Sequence, residues 1–269
     1  MYPMNIPIYQ IDAFAKTLFT GNPAAVCPLA SWLPDEVLQR IAAENNLSET
    51  AFFVREGSGY RIRWFTPAVE VNLCGHATLA SAYAAFAFEG HPGDVIEFAS
   101  RSGPLRVHRE GDRLVLDFPA DPPAASSPAA GLVDALGREP AETWKGRTDY
   151  LLVYRRQADV AEMSPDFGRL REVDARGIIV TAPGDDVDFV SRVFAPRVGG
   201  DEDPVTGSAH PTLTPFWARR LGKTDLSAMQ LSRRRGWLTC RLAGDRVEIA
   251  GKAVPYLRGT ITVDEAVKG

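Results

Sequence analysis

Cysteine is scarce in this 269-residue chain: Cys27, Cys74 and Cys240 are odd in number and far apart. They define neither a disulfide framework nor a paired CxxC metal knuckle. Charge of one sign is also missing. Lys and Arg number 30 against 34 Asp and Glu, a net charge of -4, so there is no basic footprint for nucleic acid or an anionic membrane. The local run Arg233-Arg234-Arg235 reads as a solvated strand end or turn. Long apolar runs are absent, since the most apolar helical stretch, Leu79 to Phe88, is too short and alanine-rich to span a bilayer. Met1 to Lys16 lacks the basic and apolar regions of a signal peptide. Gly199-Gly200 and Gly207 form neither a dinucleotide fingerprint nor a P-loop. What remains, 45% hydrophobic and 24% charged, suits a soluble globular protein with ample core. A reduced cytoplasmic enzyme is the expectation.

The clearest boundary is Phe118-Pro-Ala-Asp-Pro-Pro-Ala-Ala-Ser-Ser-Pro128, whose prolines disfavour both helix interior and central strand. It divides the chain into an N-terminal lobe (1–118), a linker (119–130) and a C-terminal lobe (131–269). Each half shows a similar order of elements. In the first, strands at 6–14 and 24–29 flank the turn signal Gly21-Asn22-Pro23, a helix follows at 34–44, and further strands lie at 51–55, 60–66, 95–99, 105–109 and 113–118. Amid them, an alanine-rich helix from about His76 to Phe88 is apolar all round and therefore buried. In the second, a helix at 131–136 precedes strands at 150–154, 177–181 and 188–194, and an apolar helix runs from about Ser208 to Leu221. Strands at 229–233, 237–242, 246–249 and 253–263 close the chain. Strands wrapped around one central helix, twice over, predict an α+β fold of two lobes, with both helix mouths at a cleft.

Those mouths hold the chemistry. Cys74-Gly75-His76-Ala77-Thr78 and Asp203-Pro204-Val205-Thr206-Gly207-Ser208-Ala209-His210 each place glycine and small residues at a helix start. Unpaired N–H groups and a partial positive charge there suit an anionic ligand. His76 is expected neutral, because a helix N-terminus disfavours a cation; it can relay a proton or sit satisfied by backbone. Glu49, between a helix and the apolar strand Ala51-Phe52-Phe53-Val54, can be an acid/base or a turn-capping residue with Ser48 and Thr50. Asp203 can orient a histidine, accept a proton or cap the helix; Ser208 can bind an anion or serve as N-cap. His210 belongs to the buried helix, while His91 and His108 read as surface or strand residues. Cys74 and His76 lack a matching spaced pair of ligands for zinc. A two-thiol racemase would need a second cysteine where Thr206 and Ser208 stand.

Taken together, these residues resemble the phenazine biosynthesis PhzF-like family, with its diaminopimelate epimerase-like fold. The matching stretches run in order: Ile11-Asp-Ala-Phe14, Thr20-Gly-Asn-Pro-Ala-Ala-Val26, Asn46-Leu-Ser-Glu-Thr-Ala-Phe-Phe53, Arg63-Trp-Phe-Thr-Pro67 and Val71-Asn-Leu-Cys-Gly-His-Ala-Thr-Leu-Ala80. Phe194-Ala-Pro196, Gly200-Asp-Glu-Asp-Pro-Val-Thr-Gly-Ser-Ala-His210 and Phe216-Trp217 complete the set. The resemblance implies two pseudo-symmetric lobes, each a curved, mostly antiparallel sheet around a central helix, with the site between them. It also implies a homodimer, a small anionic substrate, and no metal or organic cofactor. It places the proton-moving glutamate at Glu49, the glycine–histidine pair at Gly75 and His76, the aspartate at Asp203 and the serine at Ser208, with Gly207 beside it. The implied reaction is a proton-shift isomerisation, as for dihydro-hydroxyanthranilate. An amino-acid-type epimerase and a non-catalytic small-molecule binding protein are the rival readings. Asn72, at a place often acidic in relatives, and Pro211-Thr212 depart from the pattern and bear on substrate identity.

Overall fold

The computed structural model describes residues 4–197 and 200–263. They fall into two compact units, residues 4–116 with 251–263, and residues 117–250. The elements run β1 (Met4–Ala13), β2 (Asn22–Leu29), α1 (Asp35–Asn45), β3 (Glu49–Glu56), β4 (Gly59–Phe65), β5 (Glu70–Val71), α2 (Gly75–Ala87), β6 (Val95–Ser100), β7 (Gly103–Glu110) and β8 (Arg113–Pro119). Then come β9 (Ala124–Ala125), α3 (Leu132–Leu136), β10 (Glu142–Lys145), β11 (Asp149–Val153), α4 (Gln157–Ala161), α5 (Phe167–Glu172), β12 (Gly177–Pro183), β13 (Phe189–Ala195) and β14 (Gly200–Asp203). A 3-10 turn (Gly207–Ala209), α6 (His210–Leu221), β15 (Asp225–Gln230), β16 (Gly236–Ala243), β17 (Arg246–Gly251) and β18 (Ala253–Val263) complete the described chain. The fold is mixed α/β, with many strands and few helices.

In the first unit the strands pair in the order β18-β1-β2-β3-β4-β6-β7-β8. The steps β2–β3 and β4–β6 are parallel and the others antiparallel. Parallel neighbours need a crossover, and here α1 and α2 supply one each. Helix α1 packs Val37, Leu38, Ile41 and Ala42 against Ile6, Ile8, Ala25, Cys27, Phe52 and Phe65. Side chains alternate along a strand. Asn22, Ala24 and Val26 of β2 and Glu49, Ala51 and Phe53 of β3 therefore face the opposite side, where α2 packs on β1, β2 and β3. Helix α2 is buried from Gly75 through Ala82. Its alanines favour helix and take little room, so strands on that side approach its backbone closely.

The second unit pairs β9-β10-β11-β12-β13-β15-β16-β17. The sequence of directions is that of the first unit, with β11–β12 and β13–β15 parallel. The short strand β14 lies antiparallel on β13 as β5 does on β4. Helices α3 to α5 cover one face, with Leu132, Val160 and Leu170 packed on Leu152, Ile178, Val180 and Phe194. On the other face Trp217 of α6 stacks on Phe189 with centroids 5.7 Å apart and donates Nε1–H to Thr181 Oγ1 at 3.0 Å.

Three expectations differ from the structure. The stretch 253–263, expected in the second lobe, pairs along the whole of β1; register between strands so distant in sequence leaves no local signal. The helix expected from Ser208 opens as a 3-10 turn and becomes α6 at His210. The expected linker is anchored. Pro215 inside α6 has no N–H for the carbonyl of Pro211, which instead accepts the N–H of Asp121 at 2.9 Å. The Asp121 carboxylate accepts from Thr212 Oγ1 at 3.0 Å and from Arg147 N and Nε, each at 3.1 Å. Asp121→Ala should therefore cost about 1–2 kcal/mol, the loss of a part-buried bond to Thr212 and exposed bonds to Arg147. Urea unfolding measures this, and a loss below about 0.5 kcal/mol, typical of an indifferent surface position, would contradict the anchoring role.

Candidate active site

Gly21 sits at φ +71, and a Cβ there would meet Ala13 O at 2.3 Å. This tight turn delivers Asn22 to the start of β2, where its side chain is fully buried. Asn22 Nδ2 lies 3.1 Å from His76 Nδ1, and Cys74 Sγ lies 3.5 Å from the same nitrogen. Placing the amide N–H towards the ring makes Nδ1 the acceptor and assigns the proton of the neutral imidazole to Nε2. Nε2 is 3.3 Å from Glu49 Oε2, within ion-pair reach although the two atoms are not aligned as a hydrogen bond. Parallel register sets Glu49 opposite Ala24, on the face that α2 covers. Burial pushes the His76 pKa down to about 3. The ring is thus neutral at physiological pH, as its helix-start position had suggested, though desolvation rather than the helix end is the principal cause. Cys74 holds the N-cap position in extended conformation without a side-chain cap. The N–H groups of Gly75, His76 and Ala77 consequently have no partner within α2.

In the second unit Asp203 ends β14 and Thr206 precedes the 3-10 turn. Thr206 Oγ1 donates to Asp203 Oδ2 at 2.6 Å. Gln230 of β15, fully buried, accepts the Thr206 N–H at 2.8 Å. Its Nε2 donates to Asp203 O at 2.8 Å and to Thr206 Oγ1 at 3.2 Å. Ser232 Oγ donates to Pro204 O at 2.6 Å. His210 Nδ1 donates to Thr206 O at 2.9 Å, and burial pushes its pKa down to about 4. Gly207 is buried and Ser208 half-buried.

The sequence matches the model of the phenazine biosynthesis-like protein family over residues 11–259. The chain belongs to that family. An uncharacterized isomerase of Pseudomonas aeruginosa is 54% identical to it over 258 residues, covering 96% of this chain and 99% of that one. The PhzF family protein of Enterococcus faecalis, a crystal structure, superposes with a TM-score of 0.93 at 47% identity, over 96% of this chain and 99% of that one. A hydroxyproline epimerase from Agrobacterium vitis, only 9% identical, shares the fold with a TM-score of 0.60 over 97% and 93% of the two chains.

Within this PhzF-family fold, Glu49 opens β3 and its carboxylate comes together with His76. Asp203 holds the Thr206 hydroxyl and caps no helix; Ser208 lies inside the 3-10 turn rather than at its N-cap. His210 is buried at the start of α6, and it braces the loop through Thr206 O. Two residues escaped the sequence reading. Asn22 was visible only as part of a turn signal, and Gln230 carried no signal at all. Glu49, Cys74 and His76 offer donor atoms within 4.8 Å of one another. Cys74 approaches Nδ1 and Glu49 approaches Nε2, a grouping of donors that the spacing of zinc ligands in the sequence did not anticipate. The other two thiols, Cys27 and Cys240, are pushed up to about 12 by burial, which leaves them inert.

Both buried histidines couple folding to pH. Their folded pKa values lie below the unfolded value of 6.5, so the unfolded chain binds more protons as pH falls through that value. The stabilisation is fully present above the unfolded pKa and is lost towards the folded values. The urea midpoint should therefore drop between about pH 7.5 and pH 5, the interval in which a free imidazole charges. A midpoint that holds or rises over that interval would show that these rings are not buried neutral.

Proposed function

We propose that the chain is a cofactor-independent isomerase that moves a proton within a small carboxylate-bearing substrate, in the manner of dihydro-hydroxyanthranilate isomerase. One observation carries the proposal: the Glu49 carboxylate stands 3.3 Å from a histidine that burial keeps uncharged. An imidazolium there would trap Glu49 in an ion pair. A neutral ring offers only a dipole, so the carboxylate can take a proton from carbon and return it at another position. The N–H groups at the mouth of α2 that have no partner within the helix, including that of Gly75, suit a substrate carboxylate or the negative charge developing on it. Gly207 and Ser208 serve the same end at the second helix start. Asp203, fixed by Thr206 and Gln230, sets the charge environment for the reacting group. In this reading the two units are like lobes of a diaminopimelate epimerase-like fold, and the enzyme works as a homodimer in the cytoplasm.

The test is proton exchange in D₂O followed by NMR, with dihydro-hydroxyanthranilate and a panel of small cyclic and amino acids. Wild-type protein should convert at least one compound without added metal and unaffected by EDTA. Glu49→Gln should fold normally and lose about 10²–10⁴ in rate, the worth of one positioned acid/base. Near-wild-type turnover by that variant would remove Glu49 from the mechanism.

A further inference from the structure

Two stretches of like sequence, Arg63-Trp-Phe-Thr-Pro67 and Arg192-Val-Phe-Ala-Pro196, have no part in the proton transfer just described. In space they build the same device twice. Arg63 donates Nε–H to Glu70 Oε1 at 2.7 Å and Nη2–H to Oε2 at 2.8 Å. Arg192 donates Nε–H to Glu202 Oε1 at 2.7 Å and Nη2–H to Oε2 at 2.9 Å. In both units the glutamate stands opposite the phenylalanine two residues beyond the arginine, Phe65 with Glu70 and Phe194 with Glu202. In both, the guanidinium lies over that ring, at 5.1 Å and 5.0 Å. The remaining nitrogen, Nη1, reaches a crossover helix each time: Asp35 Oδ1 at the start of α1 at 2.8 Å, and Val160 O (3.2 Å) and Met163 O (2.6 Å) around the end of α4. Arg101 adds a second cation to Glu70 at 2.8 Å.

We propose that Arg63–Glu70 and Arg192–Glu202 are a duplicated clamp of positioning residues that fixes the short strand leading into each helix mouth. The proposal rests on the reading of Glu49, His76 and Asp203 as the proton-handling groups. Glu70 lies four residues before Cys74, and Glu202 directly precedes Asp203. The paired side chains are 15% and 14% exposed in the first clamp and 11% and 20% in the second. They are therefore screened far less than surface pairs such as Arg61–Glu56. A planar two-pronged fork fixes direction as well as distance, which a lysine cannot do. The repetition is itself informative, because the two units otherwise share pattern rather than sequence: α2 is alanine-rich where α6 carries two prolines and a tryptophan.

The experiment is hydrogen–deuterium exchange mass spectrometry on the full chain, comparing wild type with Arg192→Lys, Arg63→Lys and the surface control Arg241→Lys. Arg192→Lys should raise exchange in 200–206 about tenfold or more, the scale of one charge-assisted bond, while leaving 70–78 unchanged. Arg63→Lys should do the reverse, and the control should do neither. Unchanged exchange at the targeted strand, or equal loosening throughout its unit, would overturn the clamp. On a substrate that the wild type turns over, Arg192→Lys should lower kcat about 10- to 100-fold with KM little changed, as expected for misaligned groups. An unaltered kcat would overturn its positioning role. Normal turnover by both Glu49→Gln and Asp203→Asn would instead refute the proton-transfer reading, and the exchange data would still decide the clamp.

Discussion

An uncharged imidazole held inside the protein beside a half-buried carboxylate is the interaction on which the site depends. Burying an ion without a partner is costly, and His76 meets that constraint by staying neutral. Much of the local structure serves this arrangement. The Gly21 turn places Asn22 against Nδ1, the parallel β2–β3 register brings Glu49 alongside, and the small residues of α2 let the helix start sit deep in the strand layer. Local structure and stability are thereby coupled, since the ring that lies beside Glu49 is also one that opposes folding once it charges.

The two units show one scaffold carrying two different helix mouths. Their strand pairings follow the same order of parallel and antiparallel steps, and each uses a short strand on the parallel-paired neighbour to enter its buried helix. The first mouth presents Cys74, Gly75 and His76; the second presents Thr206, Gly207 and Ser208. Side-chain identity at the mouths has diverged while the arginine–glutamate forks behind them persist. That contrast sets the differing residues of the mouths apart from the shared forks behind them.

Much of this was legible in the residues, and for identifiable reasons. Strand alternation and the alanine run of α2 are local signals that burial enforces, so those elements fall within a few residues of their expected places. The short β5, β9, β10 and β14, and helices α4 and α5, were not read, because elements of two to six residues carry too little periodicity. The pairing of β18 with β1 depends on contacts between the two ends of the chain. Among the candidate residues, Glu49, His76 and Asp203 stand out as ionisable groups at helix or strand ends. Gln230 does not, because an amide in a strand resembles a solvent-facing residue until its burial and three hydrogen bonds are seen. Pro215 was read simply as part of a helix, whereas it creates the free carbonyl that anchors Asp121.

The most direct test of the central claim is ¹⁵N NMR of the His76 ring in the folded protein at neutral pH. The account predicts a neutral ring with its proton on Nε2, facing Glu49, and an unprotonated Nδ1 facing Asn22. An imidazolium, which would lock Glu49 into an ion pair, or a proton on Nδ1, which would turn the lone pair towards the carboxylate, would contradict it.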